Sequence, residues 1–258
     1  MTEQVSTTTF FLLRGLAREI RHWGDFPEVL KNSGEGIRVE PLEIPGAGKL
    51  RNTRAPMATR DYVENIREQY LQRVSFQDTN ILFGLSFGGM IAASWLDAYP
   101  DDFQAAVLAN TSSRNCPFYN RLSPEAMRVF LAAMLSGDIG KQETRLANLI
   151  CNTADAEEIA RQWCGIARSA PMSSLNKLRQ LYTAAVFSLP PAPSVPTLLL
   201  CSIRDRLCAP LCSEKIRAAW ACRLIYHAEA GHDLTTDDPR WCSSTLLSWR
   251  ASLDISAG

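Results

Sequence analysis

The chain contains 258 residues, of which 46% are hydrophobic and 21% are charged, the composition of an ordinary globular protein with one large domain. Its 27 basic and 27 acidic residues cancel, so there is no strong overall field to attract nucleic acid or an anionic membrane. The apolar run at residues 10–13 stops at Arg14 and is too short for a signal peptide, and no stretch is suited to spanning a membrane. We therefore expect a cytoplasmic protein without membrane insertion.

Eight cysteines are scattered through segments that we predict to be strands and helices. They form no C-x-x-C pair and no dense framework of the kind found in secreted, disulfide-rich domains. Reduced, mostly buried thiols are the favoured interpretation, with a disulfide set as the alternative. Cys208 and Cys212 lie four residues apart, but no histidine or further cysteine is near enough in sequence to suggest a zinc site. We predict no metal ion and no cofactor.

Six apolar segments predict strands, and helical segments separate most of them. Continuous apolar runs favour strands that are buried on both faces of a parallel sheet. Strands that alternate with helices predict a doubly wound, mostly parallel α/β sheet. The predicted strands span approximately residues 9–13, 37–42, 80–83, 105–109, 197–201 and 222–227.

A long interval between the fourth and fifth strands contains helices but no convincing strand. Ser123 and Pro124 make a favourable helix start, because a serine caps free amides and a proline fits the first helical position. We interpret residues 111–193 as a helical cap, or lid, inserted into an α/β core of residues 1–110 and 194–258. The alternative is that these helices are simply extra packing helices. They are predicted at about residues 123–135, 141–150, 155–167 and 174–188.

Residues 84–88, Gly-Leu-Ser-Phe-Gly, form a G-x-S-x-G motif between an apolar strand and a helix rich in small residues. In this strand–turn–helix context the motif is typical of a nucleophile elbow, in which the glycines permit a turn that exposes the serine hydroxyl. The helix that follows offers free amides and the positive end of its dipole. We therefore predict that Ser86 is a catalytic nucleophile. The alternative is a surface serine in a glycine-rich turn.

A serine nucleophile needs a base, and the chain contains three histidines. His22 precedes Ser86, whereas in this arrangement the acid and then the histidine follow the serine. His232 lies in a loop beyond the last predicted strand, and we prefer it to His227, which ends that strand. Asp205 follows the fifth strand and is the predicted acid. The alternative for this aspartate is a surface salt bridge with the flanking arginines.

The loop after the first strand contains Arg14, Gly15 and Leu16. An oxyanion hole needs two preorganised N–H donors, and we predict that the backbone amides of Leu16 and Phe87 supply them. Arg14 is a candidate substrate-binding residue, because a guanidinium pairs well with a carboxylate or a phosphate. The favoured alternative for Arg14 is a structural salt bridge.

These motifs resemble the α/β-hydrolase superfamily, in its branch of small bacterial serine esterases, over nearly the whole chain. The resemblance depends on the G-x-S-x-G motif, Asp205 in S-x-x-D, Gly231-His232-Asp233, and the Ile-Pro-Gly-Ala-Gly segment at residues 44–48, which is similar to the P-G-x-G loop of that branch. The chain departs from the family twice. Arg14 stands where members usually have histidine, and Ser202 stands where they often have glycine.

The resemblance implies a serine hydrolase that cleaves a carboxylic ester of a small or acyl substrate through an acyl-enzyme. One alternative is a thioesterase for acyl groups on a carrier or coenzyme A, because Lys49, Arg51 and Arg54 follow the P-G-x-G-like loop, as in type II thioesterases. Another is a non-catalytic binding protein that kept the scaffold. The expected partner is a small-molecule ester or acyl substrate, or an acyl carrier, and not nucleic acid.

Overall fold

The computed structural model of the protein describes residues 7–253, except for the side chain of Met134. Its centre is a six-stranded sheet in the order β2-β1-β3-β4-β5-β6, and all five strand pairs are parallel. The predicted α/β fold is confirmed, and each predicted strand is present to within two residues. The strands are β1 (Thr8–Leu13), β2 (Ile37–Leu42), β3 (Thr79–Leu85), β4 (Ala105–Ala109), β5 (Thr197–Ser202) and β6 (Arg223–His227).

The strand order reverses direction next to β1. From β1 the chain moves outward to β2 and then returns to the other side of β1 as β3, so the loops after β1 and β3 diverge at the carboxyl edge. Such a switch point opens the crevice in which α/β proteins bind ligands. Every residue of β1, β3, β4 and β5 is buried, as the continuous apolar runs predict for strands covered on both faces.

Helices cover both faces of the sheet. On one face, Phe10 and Leu12 of β1 pack with the first and last helices, and on the other face Phe11 and Leu13 pack with the second and third. This alternation is the two-residue period of a strand. The helices are α1 (Phe26–Lys31), α2 (Thr59–Leu71), α3 (Phe87–Ala98), α4 (Phe118–Arg121), α5 (Pro124–Leu135), α6 (Ile139–Ile150), α7 (Ala156–Ser169), α8 (Ser174–Val186), α9 (Leu211–Trp220), α10 (Leu234–Asp237) and α11 (Pro239–Ala251).

Five helices, α4 to α8, lie between β4 and β5. The start of α5 is the predicted one, because the Ser123 hydroxyl accepts the N–H of Ala126 and Pro124 is the first helical residue. An apolar cluster of their own, which includes Ala147 and Trp163, joins α5, α6 and α7. The division of the chain into a core and a lid stays a prediction. Within residues 7–253, no helix is both long and apolar enough to cross a bilayer.

Candidate active site

Ser86 occupies the sharp turn between β3 and α3. Its backbone has φ 56° and ψ −115°, a region that residues other than glycine rarely adopt and that costs about 1–3 kcal/mol. Two hydrogen bonds hold this turn. The Ser86 N–H donates to the Ala109 carbonyl at the end of β4 (2.8 Å), and the Thr111 hydroxyl donates to the Ser86 carbonyl (2.8 Å). Ser86 is only half-buried, so the strained turn keeps it at the carboxyl edge of the sheet.

Close backbone contacts require the two glycines of the motif. A Cβ atom on Gly84 would lie 2.5 Å from the Gly88 carbonyl oxygen, and one on Gly88 would lie 2.0 Å from the Leu13 carbonyl oxygen. Both distances are far shorter than van der Waals contact, so a side chain at either position would push α3 away from the strands. The G-x-S-x-G pattern thus reflects how tightly the first turn of α3 packs against the ends of β1 and β3.

His232 bridges Ser86 and Asp205. Its Nε2 lies 2.8 Å from Ser86 Oγ, and its Nδ1 lies 2.7 Å from Asp205 Oδ2. The three residues follow β3, β5 and β6, so the parallel sheet brings together residues that are far apart in the chain. Because the carboxylate accepts a proton from Nδ1, the lone pair of a neutral His232 is on Nε2 and faces the serine hydroxyl.

Two backbone amides orient Asp205. Its Oδ1 accepts the N–H groups of Leu207 (2.8 Å) and Cys208 (2.9 Å), which leaves Oδ2 for the histidine. The Asp205 side chain is 1% exposed, so water does not compete for these bonds. The flanking arginines pair with other carboxylates, Glu229 and Glu125. Asp205 therefore lies in a buried chain of hydrogen bonds rather than in a surface salt bridge.

Opposing effects set the pKa of His232. Burial lowers the pKa of an imidazole, because the charged form loses its hydration. The charge and hydrogen bond of Asp205, with a further contribution from Asp233, outweigh burial and raise the pKa of His232 above its ordinary value. The site therefore stabilises the imidazolium, the form that a general base adopts after it takes a proton.

The β1 loop, residues 14–18, runs beside Ser86. A Cβ atom on Gly15 would lie 3.6 Å from Ser86 Cβ. The backbone of Leu16, the next residue, therefore belongs to a segment that lies beside Ser86. Phe87 is the first residue of α3, where an amide has no acceptor within the helix. The two amides predicted for the oxyanion hole therefore belong to the two segments that flank the serine.

Gln180 of α8 fixes the shape of the β1 loop. Ala17 has φ 56°, and its N–H donates to Gln180 Oε1 (2.8 Å). The Gln180 amide group donates in turn to the Pro45 carbonyl (3.3 Å), and Gln180 is 1% exposed. No sequence motif connects a glutamine with a loop 163 residues away, so this contact could not be predicted from the sequence.

Arg14 forms a buried ion pair. Its guanidinium makes two hydrogen bonds to the Asp233 carboxylate (2.5 and 3.1 Å) and lies over the Trp23 ring, 4.7 Å from its centroid. Arg14 is 1% exposed, and a desolvated guanidinium needs a carboxylate partner. These contacts favour the structural salt bridge, and substrate binding by Arg14 stays a prediction. The pair joins the β1 loop to the loop that carries His232.

The other two histidines have different partners. His227 accepts the N–H groups of Glu229 (3.2 Å) and Ala230 (2.9 Å) through Nδ1, so it shapes the loop that leads to His232. His22 is buried, and burial together with three neighbouring arginines lowers its pKa well below the ordinary value. Neither replaces His232 as the partner of Ser86.

Asn110, directly after β4, is a positioning residue that the motifs did not reveal. Its Nδ2 donates to the His232 carbonyl (2.9 Å) and to Ser202 Oγ (3.0 Å), and its Oδ1 accepts the Ser202 N–H (2.8 Å). Asn110 is buried, and a buried amide of this kind needs several partners. It ties the ends of β4 and β5 to the histidine loop. The only sequence signal was a polar residue directly after an apolar run.

Asp237 connects the same histidine loop to the helices above it. Its carboxylate accepts the N–H of Gly231 (2.6 Å) and the N–H groups of residues 152–154 at 2.9 to 3.0 Å. These donors come from the loop after α6 and from the residue that precedes His232. One carboxylate thus sets the distance between the two loops.

Comparison with known proteins gives one family and a common fold. The family model described as serine aminopeptidase, S33, matches residues 7–239. Three similar solved structures are esterases. That from Exiguobacterium antarcticum has a TM-score of 0.76 and 20% identity, over 95% of this chain and 92% of that one. The esterase from Rhodococcus sp. ECU1013 has a TM-score of 0.76 and 19% identity, and the match covers 96% of this chain and 91% of that one. A thermophilic esterase from Thermogutta terrifontis has a TM-score of 0.70 and 17% identity, and the match covers 96% of this chain and 90% of that one.

A comparison with curated protein sequences gives no match. At 17 to 20% identity, the three structures establish the fold alone. The family model covers most of the chain, and the six-stranded parallel sheet with flanking helices is the α/β-hydrolase fold. The chain therefore belongs to the serine aminopeptidase S33 family of the α/β-hydrolase superfamily.

Proposed function

We propose that the protein is a serine hydrolase that cleaves carboxylic esters through an acyl-enzyme. The observation that carries this proposal is the continuous chain of hydrogen bonds from Asp205 through His232 to the hydroxyl of Ser86. That hydroxyl belongs to a strained turn with a free helix N-terminus beside it. The esterases of similar fold support an ester as the bond that is broken.

In the first half of the proposed reaction, Ser86 Oγ attacks the ester carbonyl while His232 Nε2 takes its proton. Asp205 holds the imidazole and stabilises its positive charge. The amides of Leu16 and Phe87 bind the oxyanion of the tetrahedral intermediate. His232 then returns the proton to the departing alkoxide, and the alcohol leaves the acyl-enzyme.

In the second half, His232 removes a proton from a water molecule that attacks the acyl-enzyme. The second tetrahedral intermediate uses the same amides and collapses to the free acid and Ser86. Every proton transfer uses His232, so no cofactor is needed for this sequence of steps.

Replacing Ser86 with alanine tests the nucleophile. We expect Ser86→Ala to lower kcat on an aryl ester by about 10⁴-fold or more and to abolish labelling by a fluorophosphonate probe. Ser94→Ala is the matched control. Ser94 also lies on α3, and within residues 7–253 its hydroxyl makes a hydrogen bond only to the hydroxyl of Thr59. It should keep both activity and labelling. Full activity in Ser86→Ala would contradict the mechanism.

Matched substrates test which bond is cleaved. An oxygen ester, a thioester and an amino-acid amide with the same acyl group should be compared by kcat/KM. We expect the oxygen ester to be the best of the three. A preference for the thioester would favour an acyl-carrier or acyl-coenzyme A thioesterase, and a preference for the amide would favour an aminopeptidase. None of the three outcomes changes the expected result of Ser86→Ala, because Ser86 is the nucleophile for all three substrates.

A further inference from the structure

Helix α8 turns its polar side toward the protein. Asn176, Gln180 and Thr183, spaced by four and three residues, lie on one face and are 5%, 1% and 1% exposed. Asn176 accepts the Ala55 N–H (3.0 Å) and donates to the Thr53 carbonyl (3.1 Å). This face therefore binds core loops through hydrogen bonds, the reverse of a helix that packs with an apolar stripe.

The other side of α8 presents apolar side chains to solvent. Leu175, Leu178, Tyr182 and Val186 follow the helical spacing of three and four residues and are 61%, 51%, 49% and 42% exposed. We call these four residues the α8 stripe. Next to its C-terminal end, Arg121 of α4 donates to the Ala185 carbonyl. Phe118 and Tyr119 on the same short helix are also exposed, at 56% and 66%. Isolated exposed apolar residues are common, but an ordered stripe of them marks an interaction site.

Positive charges lie near α8, one on the helix itself and three on the loop that packs against it. Lys49, Arg51, Arg54 and Lys177, here called the basic flank, form no salt bridge with any carboxylate in residues 7–253. Asn176 donates to the Arg51 carbonyl (3.2 Å), which places the basic loop against α8. Residues 44–60 and 170–186 contain no aspartate or glutamate. The overall net charge of zero thus conceals a locally positive surface.

We propose that the α8 stripe and the basic flank bind an anionic lipid surface, with the apolar side chains among the acyl chains and the cations at the headgroups. A helix that lies in a membrane interface has this combination of an apolar face and lysine or arginine beside it. The stripe is a convex ridge of one helix, whereas a protein partner for such a ridge would supply a matching groove. A fluid lipid surface accepts the ridge without one, and each cation adds attraction to it.

The location of α8 relates this surface to the candidate active site. The buried face of the same helix holds the β1 loop through Gln180 and Ala17, so the lipid surface would meet the protein next to Ser86. Lipid binding itself does not require catalysis. Ser86→Ala should therefore bind vesicles as the wild-type protein does, which separates this proposal from the proposed esterase activity.

Vesicle sedimentation tests the proposal. The wild-type protein should sediment with vesicles of equal parts phosphatidylglycerol and phosphatidylcholine, weakly with phosphatidylcholine alone, and less at high salt. Arg54→Glu with Lys177→Glu should weaken binding to the anionic vesicles by about tenfold or more. Leu178→Ser with Tyr182→Ser should have an effect of similar size, because it removes apolar contact. Both variants should retain wild-type activity on a water-soluble ester, which verifies their fold.

Matched substitutions elsewhere provide the controls. Phe76→Ser removes a side chain of a residue that is 76% exposed outside the stripe, and Arg223→Glu with Arg240→Glu reverses two exposed charges away from the basic flank. Both should bind vesicles like the wild type. The proposal is overturned if wild-type protein does not sediment with anionic vesicles, or if the two α8 variants bind them unchanged. It is also overturned if light scattering finds a dimer that Leu178→Ser with Tyr182→Ser dissociates, because a second copy would then cover the stripe.

Discussion

The ion pair between Arg14 and Asp233 leads to a prediction at the scale of single residues. Replacing Arg14 with methionine would leave the buried Asp233 carboxylate without its cation, so we expect the free energy of unfolding to fall by about 3–5 kcal/mol. Chemical denaturation of both proteins at neutral pH measures this difference. Arg14→Met with Asp233→Asn is the control. It removes both charges and keeps an acceptor for the amide of Thr236, so it should recover most of the loss.

The same pair predicts how acid affects stability. Burial tends to raise the pKa of Asp233, but Arg14 outweighs it and lowers this pKa below the ordinary value. The stabilisation is therefore complete above the unfolded-state pKa of about 3.9 and is lost as the pH falls through the lower folded-state value. In Arg14→Met the sign reverses, because an unpaired buried carboxylate is neutralised more readily. The variant should move closer to the wild-type stability as the pH is lowered.

His232 predicts the pH dependence of activity. Because its pKa is raised and the base must be neutral, kcat/KM on a neutral ester should fall on the acidic side with a midpoint above about 6.5. Asp205→Asn removes the charge that raises the pKa, so the residual activity should have its acidic midpoint at lower pH. A midpoint that stays the same in Asp205→Asn would contradict the role of Asp205 in setting the pKa of His232.

The site residues that were predicted from the sequence have a local sequence pattern, and the contacts that were not predicted have none. Ser86 has a motif, and His232 and Asp205 follow strand ends in a chain with three histidines. The structure joins these three in a chain of two hydrogen bonds with His232 in the middle. The partner of Arg14 lies 219 residues away, and only the strand order makes the two neighbours. A contact of that kind leaves no local pattern, so the sequence alone does not distinguish a structural salt bridge from substrate binding by Arg14.

At the scale of elements, the close packing of α3 against β1 predicts opposite effects of two alanine substitutions. Gly88→Ala would place a Cβ atom 2.0 Å from the Leu13 carbonyl oxygen, so we expect a loss of at least about 1–3 kcal/mol in the free energy of unfolding. Gly165 lies inside α7, with no atom within 4 Å of an added Cβ. Gly165→Ala should instead stabilise the protein by about 0.5–1 kcal/mol, because alanine is the better helix former. Thermal and urea unfolding measure the stability of the two variants. If both substitutions destabilise the protein, the close contact between Gly88 and Leu13 does not determine the sign of the stability change.

The strands were predictable and some helices were not, for physical reasons. Continuous apolar runs mark the four strands that are buried on both faces, β1, β3, β4 and β5. The edge strands β2 and β6 are partly exposed, and they were found from shorter apolar segments. The four-residue helices α4 and α10 are a single turn each and are too short to display a helical period. In α8 the apolar residues follow a helical period, but this period alone would predict that the apolar side of the helix faces the core. Asn176 and Gln180 accept hydrogen bonds from the backbone of distant loops, and these bonds favour the opposite orientation.

At the scale of the whole molecule, the helices between β4 and β5 are attached to the sheet by buried polar contacts. Arg18 of the β1 loop pairs with Glu143 of α6 (2.7 Å), and both side chains are under 10% exposed. Arg18 also lies over the ring of Trp163 in α7, 4.2 Å from its centroid. The apolar cluster shared by α5, α6 and α7 is consistent with a separate lid, whereas these contacts favour a cap that moves with the core.

Hydrogen exchange can decide how tightly the cap is attached. In Arg18→Met the Glu143 carboxylate loses its cation while it is still buried, so we expect α6 and α7 to open more readily. Their amides should exchange about tenfold faster or more, while those of β3 and β4 keep the wild-type rates. Arg18→Met with Glu143→Leu removes the unpaired charge and should restore slow exchange. Faster exchange throughout the sheet would mean that the cap and core unfold as one unit, and unchanged exchange in α6 and α7 would mean that the ion pair does not anchor the cap. Only local loosening that the double variant reverses agrees with a cap that the Arg18–Glu143 ion pair attaches to the core.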